Sequence, residues 1–251
     1  MITMAVSPLT TTFLVSIRLG TVLLFSPIEA FRLVPIHARL ILVLMLSLLI
    51  SNQLLSHTVD PNELSLLLQG LAEFSNGLIL SLSIYAAFAI FQIAGQLIDT
   101  QIGLNALALF NPVDHSHEPL SSRLLLMLAV LFFFAINGHH QLLNGLLVSF
   151  TVITPGKFAL FDGFVPVIQQ CSFMFSFAFM LASPIIIGLL IIDVSSALLT
   201  RNMPQVSTYF LALPIKIMLG LFILGLLLTV VNPVMEDAFQ LCFQSWKRVL
   251  S

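Results

Sequence analysis

Charge is what this sequence has least of. Its 251 residues carry nine Lys and Arg against eleven Asp and Glu, only 8% of the chain. A soluble globular domain carries about 25%. With 59% hydrophobic residues and a mean hydropathy of +1.09, too little polar surface exists to cover a globule of this size. The net charge of −2 offers no basic face, so nucleic acid is excluded as a natural partner. From Ile41 to Ser122 there is no Lys or Arg at all. Cysteine is equally scarce. Cys171 and Cys242 lie in apolar surroundings 71 residues apart, which predicts free buried thiols rather than a disulfide or a metal pair. No phosphate loop, nucleophile elbow, zincin signature or catalytic carboxylate pair occurs, so neither an enzyme nor a cofactor is expected. A cleavable signal peptide is not expected either, because the first thirty residues lack a basic start and Arg18 interrupts their apolar run.

What is there is apolar sequence. Runs near 9–28, 40–55, 76–98, 124–153, 167–192 and 208–231 predict an all-α integral membrane protein, with residues 1–251 as a single membrane domain. A simple span needs about 20 apolar residues, so several runs are short and 124–153 is too long. "NGHHQ" (137–141) interrupts that run and predicts a helical hairpin or a broken helix. Pro27, Pro35, Pro112, Pro155, Pro166, Pro184, Pro204, Pro214 and Pro233 are expected as helix starts, stops or kinks. The alternating Phe173, Phe175, Phe177 and Phe179 imitate a strand, but a membrane strand needs a closed barrel. On a helix these rings point all round and are expected in buried packing, with Met174 and Met180 as adaptable filler.

The positive-inside rule gives a contradiction. Arg32 and Arg39 place the first connection in the cytoplasm, "HTVDPNE" (57–63) lies outside, and Arg201 marks the fifth connection as inside. Six simple spans then leave Lys247 and Arg248 outside. Either one segment fails to span, or protein partners rather than lipid bury these helices.

The few charges in or beside apolar runs need partners, since a charge at a bilayer centre costs about 2.5–3.5 kcal/mol. Arg18, Asp99, Asp193 and Lys216 are the cases, with salt bridges or snorkelling ends as the plain explanation. In "GQLIDTQIG" (95–103), Gly95, Asp99 and Gly103 share one side of a helix, where the glycines would let another backbone approach and supply donors to Asp99. A polar loop follows. Its Asp114, His115, His117 and Glu118 superficially resemble metal ligands, but H-x-H with flanking carboxylates in a loop is a poor zinc pattern. A solvated loop, or a loop in an aqueous cavity, is the reading taken. His139 and His140 point about 100° apart on a helix and do not readily share an ion.

Four stretches together carry a resemblance: "GQLIDTQIG" (95–103), "NPVDHSHEP" (111–119), "INGHHQLLNGLLVSF" (136–150) and "TRNMPQVSTYFLALPIK" (200–216). In order and spacing they resemble the FliR/SctT family of type III export-gate proteins. Gly95, Gln101, Gly103, Pro112, "NGH" at 137–139, Ser149 and Phe150, Arg201, Pro204, Gln205 and Pro214 fall where that family has them. Ala197 stands where glycine is frequent, and "PQVS" replaces the more usual "PQxN".

The resemblance implies one subunit of a helical complex with FliP-type and FliQ-type subunits and FlhB, built of helical hairpins with kinked helices. Together with further flagellar basal-body components this complex is the export gate of the bacterial inner membrane. Unfolded flagellar proteins pass through it, driven by the proton gradient. By position, residues 104–119 would help plug the closed pore, through Phe110, Asn111, Pro112, Val113, Asp114, His115, Ser116, His117, Glu118 and Pro119. Gly95, Asp99, Gln101, Gly103, Arg201, Pro204 and Gln205 would serve helix packing and assembly. Other readings are an injectisome SctT-type subunit and a stand-alone proton-coupled secondary transporter using Asp99 and Arg18 as coupling charges. A membrane enzyme built on Asp114, His115 and His117 would require a metal.

Overall fold

A computed structural model describes residues 2–25, 34–53, 65–104, 120–157, 160–203 and 208–249. These form α1 (Ile2–Leu24), α2 (Ile36–Gln53), α3 (Leu66–Ile102), α4 (Leu120–Ala135), α5 (Gly138–Val152), α6 (Leu160–Asn202) and α7 (Thr208–Val249). No strand occurs among the described residues. The helices are longer than the apolar runs. At 37, 43 and 42 residues, α3, α6 and α7 are roughly twice the length a hydrocarbon core needs. The reason is local: Gln69, Glu73 and Asn76 lie within α3 and bury their polar ends against the same chain, so the helix does not stop where apolar composition does.

Among the described residues, four helices are long and apolar enough to cross a membrane: Ile36–Gln53, Leu66–Ile102, and the Val167–Asn202 and Ala212–Lys247 parts of α6 and α7. The α4–α5 pair is a broken segment, bent by 70°, at the position of "NGHHQ". Asn137 makes the break by adopting a left-handed conformation (φ 56°, ψ 32°), which asparagine tolerates better than most residues. Its carbonyl then accepts the His140 and Gln141 N–H groups at 3.0 and 3.2 Å, starting α5 in a new direction. A Cβ at Gly138 would lie 2.5 Å from the Phe133 ring, so the turn leaves no room for a side chain there.

Some prolines stand inside helices and others at their ends. Pro166 and Pro184 lie inside α6, and Pro214 and Pro233 inside α7. A lost N–H is tolerable in a long apolar helix whose neighbours and local adjustments satisfy the freed carbonyl. Pro35 immediately precedes α2 and accepts from the Ala38 and Arg39 N–H groups, while Pro155 lies in the turn after α5. Pro27, Pro112 and Pro204 lie outside the described residues.

The chain forms two compact units: residues 1–88, 133–172 and 239–251 make the first, and residues 89–132 and 173–238 the second. In the first, α1 and α2 are antiparallel. The Thr11 and Thr12 hydroxyls each meet Ser51 Oγ at 3.0 Å. Leu14, Val15, Leu19 and Val22 of α1 are buried, and Phe88, Phe133 and Phe239 form a trio with centroids 5.2–5.6 Å apart. Gln170 ties three helices together. Its amide donates to the Ser83 carbonyl at 2.8 Å, and its Oε1 lies 2.6 Å from Ser245 Oγ. Such buried polar contacts hold apolar helices in register where burial alone does not discriminate. Cys242, beside Ser83, and Cys171 are both free thiols.

In the second unit, close packing uses glycine. A Cβ at Gly220 would lie 2.5 Å from Ile102, and one at Gly188 would lie 2.6 Å from Ile223. The buried stripe of α6 is Ala178, Leu181, Ala182, Ile185 and Leu189. That corrects the phenylalanine expectation. Phe173, Phe175 and Phe179 are exposed, as is Met180, because a helix turns about 100° per residue and the Ala, Leu and Ile stripe occupies the inward face.

Replacing Gly138 with Val is expected to destabilise the α4–α5 break by about 1–3 kcal/mol through overpacking against Phe133. Asn137→Gly should leave stability nearly unchanged, because glycine adopts positive φ freely. Thermal unfolding of the detergent-purified chain, followed by circular dichroism, separates the two variants.

Candidate functional site: two buried charge centres

Arg18, in the C-terminal third of α1, and Glu73, in α3, are both fully buried. The geometry that joins them begins with Gly77, one turn beyond Glu73. A Cβ there would lie 1.7 Å from Thr21 Oγ1 and 2.9 Å from the Arg18 carbonyl oxygen, so only glycine admits α1 this close. Arg18 Nε then donates to Glu73 Oε2 at 2.6 Å, and Nη2 to Oε1 at 3.0 Å, a bidentate pair.

The remaining donors turn to the end of α5. Nη1 reaches the Ser149 carbonyl at 2.9 Å and its hydroxyl at 3.3 Å, and Nη2 reaches the Ile153 carbonyl at 3.2 Å. All five guanidinium protons therefore have an acceptor. The guanidinium carbon also stands 4.4 Å from the Phe150 ring centroid. Arg18 thus places a positive charge on helix C-terminal carbonyls, where the dipole favours it.

Glu73 completes the circuit by accepting the Gly156 N–H at 2.8 Å. Gly156 holds φ +91°, and Asn76 donates to the adjacent Lys157 carbonyl at 2.9 Å. Glu73 and Asn76 lie one turn apart on α3, so one helix face docks both α1 and the turn after α5. Sequence reasoning missed Glu73. The available signal was a lone acid in "LAEFSNG" within an apolar helix, which demands a cation, and Arg18 is the first cation in the chain.

The second centre is Asp99, also fully buried. Its carboxylate accepts the Ser121 N–H at 3.0 Å and the Ser122 N–H at 3.4 Å. These are orphan donors in the first turn of α4, so Asp99 caps that helix from a different helix and sits at the positive end of its dipole. Gly95 permits the contact. A Cβ there would lie 2.1 Å from Ser122 Cα, and Ser122 Oγ donates to the Gln92 carbonyl at 3.1 Å.

The neighbour that Gly95 admits and the donors that Asp99 meets therefore belong to the same chain. Gly103 has another task. It ends α3 at φ +86°, donating its N–H to the Asp99 carbonyl at 3.1 Å, and a Cβ would meet nothing closer than 4.0 Å. Its value is the left-handed conformation rather than a close approach.

Gln101 is half-buried, and Arg201 is exposed in the last turn of α6, where its charge suits the helix C-terminus. Phe110, Asn111, Pro112, Val113, Asp114, His115, Ser116, His117, Glu118 and Pro119 lie outside the described residues, as do Pro204 and Gln205. The other two charges pair with each other: Lys216 Nζ meets Asp193 Oδ1 between α7 and α6, at a partly exposed position. The His139 and His140 rings lie closer than the helical spacing suggested, tilted by 38° with centroids 4.3 Å apart, and His139 lies beside Phe134.

Span-length apolar helices with exposed Leu, Ile, Met and Phe, and with their few inner charges satisfied, mark an integral membrane protein. Residues 9–242 match the family described as "Bacterial export proteins, family 1". The flagellar biosynthetic protein FliR of Bacillus subtilis is 27% identical over 95% of this chain and 93% of its own length. The FliR of Escherichia coli is 28% identical over 90% and 87%. That of Pectobacterium carotovorum is 32% identical over 70% and 67%. The chain belongs to the FliR family of bacterial flagellar export proteins.

Removing one member of the first centre should be costly. Glu73→Gln leaves a buried guanidinium without its counter-ion, and a loss of about 3–5 kcal/mol is expected. The double variant Arg18→Met with Glu73→Leu should recover part of that loss, because no charge remains buried. Asp99→Leu should cost about 1–3 kcal/mol by leaving two N–H groups unpaired, and Asp99→Asn less, since the amide oxygen still accepts. Thermal midpoints of the purified full chain test both series; a midpoint unchanged in Glu73→Gln contradicts the first.

Proposed function

We propose that this chain is a non-enzymatic core subunit of the flagellar type III protein export gate in the bacterial inner membrane. In this role it forms part of the pore through which unfolded flagellar proteins leave the cytoplasm. The observation that carries the reading is family membership over residues 9–242, with relatives named for flagellar biosynthesis aligned over most of their length. Those names favour the flagellar system over an injectisome.

The outer surface supports a subunit role. α2 exposes Leu40, Ile41, Leu44, Met45, Leu48 and Leu49, and α7 exposes Met218, Phe222 and Val230. Lipid and the FliP-type, FliQ-type and FlhB partners share the task of covering them. The rival reading as a proton-coupled transporter assigned Arg18 and Asp99 as mobile coupling charges. Both instead have complete sets of partners within the chain, which suits fixed scaffolding.

The plug reading gains from Asp99. The segment 104–119 leaves α3 just after Gly103 and enters α4 at Leu120, and Asp99 joins these two ends. A carboxylate that pins both ends of a loop fixes where its tip can reach. Phe110 to Pro119 then form the part that closes the pore. Gly95, Asp99 and Gly103 shape its base, with Gln101, Arg201, Pro204 and Gln205 serving assembly.

Shortening residues 104–119 while keeping Gly103 and Leu120 should make cells leak small ions while flagellar export persists. Unchanged ion conductance removes the plug role. Copurification tests the gate itself: the tagged full chain should bring down FliP-type and FliQ-type subunits, and a chain recovered only as a monomer contradicts the proposal.

A further inference from the structure

Gln141, Asn144, Gly145 and Val148 of α5, with Phe243, Trp246 and Lys247 of α7, line an open cleft of about 470 Å³ within the first unit. Positions 141, 144, 145 and 148 share one face of α5, and 243, 246 and 247 share one face of α7. Gly145 makes the cleft floor by admitting the indole: a Cβ there would lie 2.5 Å from the Trp246 ring. The wall is divided in character. Val148, Phe243 and Trp246 are apolar, while Gln141, Asn144 and Lys247 carry donors, and all three are exposed. Lys247 has no ion-pair partner among the described residues. Trp246 is 2% exposed, and its Nε1 lacks a hydrogen-bond partner among the described residues.

By length and composition the cleft takes a place along a membrane-span candidate. It lies at the Lys247 end of the span candidate Ala212–Lys247, where a tryptophan and a lysine are the usual interfacial anchors. The bent α4–α5 pair sets the side. If the pair returns to the face it left, Arg32, Arg39, Arg123, Lys157, Lys247 and Arg248 all share the cytoplasmic side and only Arg201 lies opposite. Counting the pair as one span divides the same cations four against three. The re-entrant arrangement obeys the positive-inside rule better and closes the contradiction that six simple spans leave.

We propose that this cleft binds an acidic phospholipid of the cytoplasmic leaflet. Lys247 takes the phosphate, the Gln141 and Asn144 amides take its ester and glycerol oxygens, and an acyl chain lies along Val148 and Phe243. Basic pockets between helices on this side of a membrane recognise acidic headgroups in this way. The inference rests on membrane insertion and not on the export role.

The chain has a single tryptophan, so Trp246 fluorescence reports the cleft alone. The full-length chain is reconstituted in phosphatidylcholine bilayers doped with brominated phosphatidylglycerol or, in parallel, with brominated phosphatidylcholine. The acidic lipid should occupy the cleft about five-fold more strongly, as expected for one lysine near the surface, and quench Trp246 accordingly. Lys247→Gln, and independently Asn144→Asp, should bring the two lipids to parity without changing the emission maximum in undoped bilayers. Equal quenching in the wild type overturns the proposal. So does displacement of the brominated lipid by millimolar inorganic phosphate, which would assign the cleft to a soluble anion.

Discussion

The ion pair between Arg18 and Glu73 is the constraint on which the first unit depends. A guanidinium deep in an apolar helical protein has no water to fall back on, so its five donors must all find acceptors at once. That requirement fixes three things together: the depth of α1, the face of α3 turned toward it, and the end of α5 whose carbonyls it caps. Gly77 is the geometric condition for the pair, and Gly156 the condition for the turn that answers Glu73. Moving any one of these elements exposes a charge that the interior cannot solvate. The arrangement is therefore held less by attraction than by the absence of a tolerable alternative.

Asp99 solves the same problem by another route. It has no counter-ion; the amide protons and dipole of α4 take that place. The difference has a consequence for the molecule. Arg18 and Glu73 join secondary structures from distant parts of the chain, whereas Asp99 joins the two ends of one connection. The first stiffens a body and the second holds the end of α3 against the start of α4. With these charges satisfied inside, Leu, Ile, Met and Phe side chains are left as the exposed apolar surface of α2, α6 and α7.

Much of this was legible in the sequence. The scarcity of charge announces a membrane protein, "NGHHQ" announces a broken helix, and the pairing of Asp193 with Lys216 is the ordinary fate of two opposite charges near helix ends. The spacing of Gly95 and Asp99 announces a helix face built to meet another backbone. Other features were illegible for definite reasons. The phenylalanines of 173–179 read as packing residues, yet three are exposed, because which face of a uniformly apolar helix turns inward depends on small residues elsewhere on it. Glu73 hid just ahead of the apolar run near 76–98, and its meaning exists only in relation to Arg18. Which prolines end a helix and which are carried inside one, as in α6 and α7, is not readable from the local sequence.

The sequence by itself determined the solvent, the secondary structure and the family, because these follow from composition, periodicity and motif order along the chain. Only the tertiary structure decided which partner each buried charge meets. Asp99 was expected to find a donor on a neighbouring helix, and it finds the N-terminus of α4. Arg18 was expected to find a carboxylate or a wet surface, and it finds Glu73 and the end of α5 at once. A charge in an apolar sequence states that a partner is needed. The identity of that partner depends on close approaches between residues far apart in the chain, at glycines whose missing side chains matter only when the helices cross.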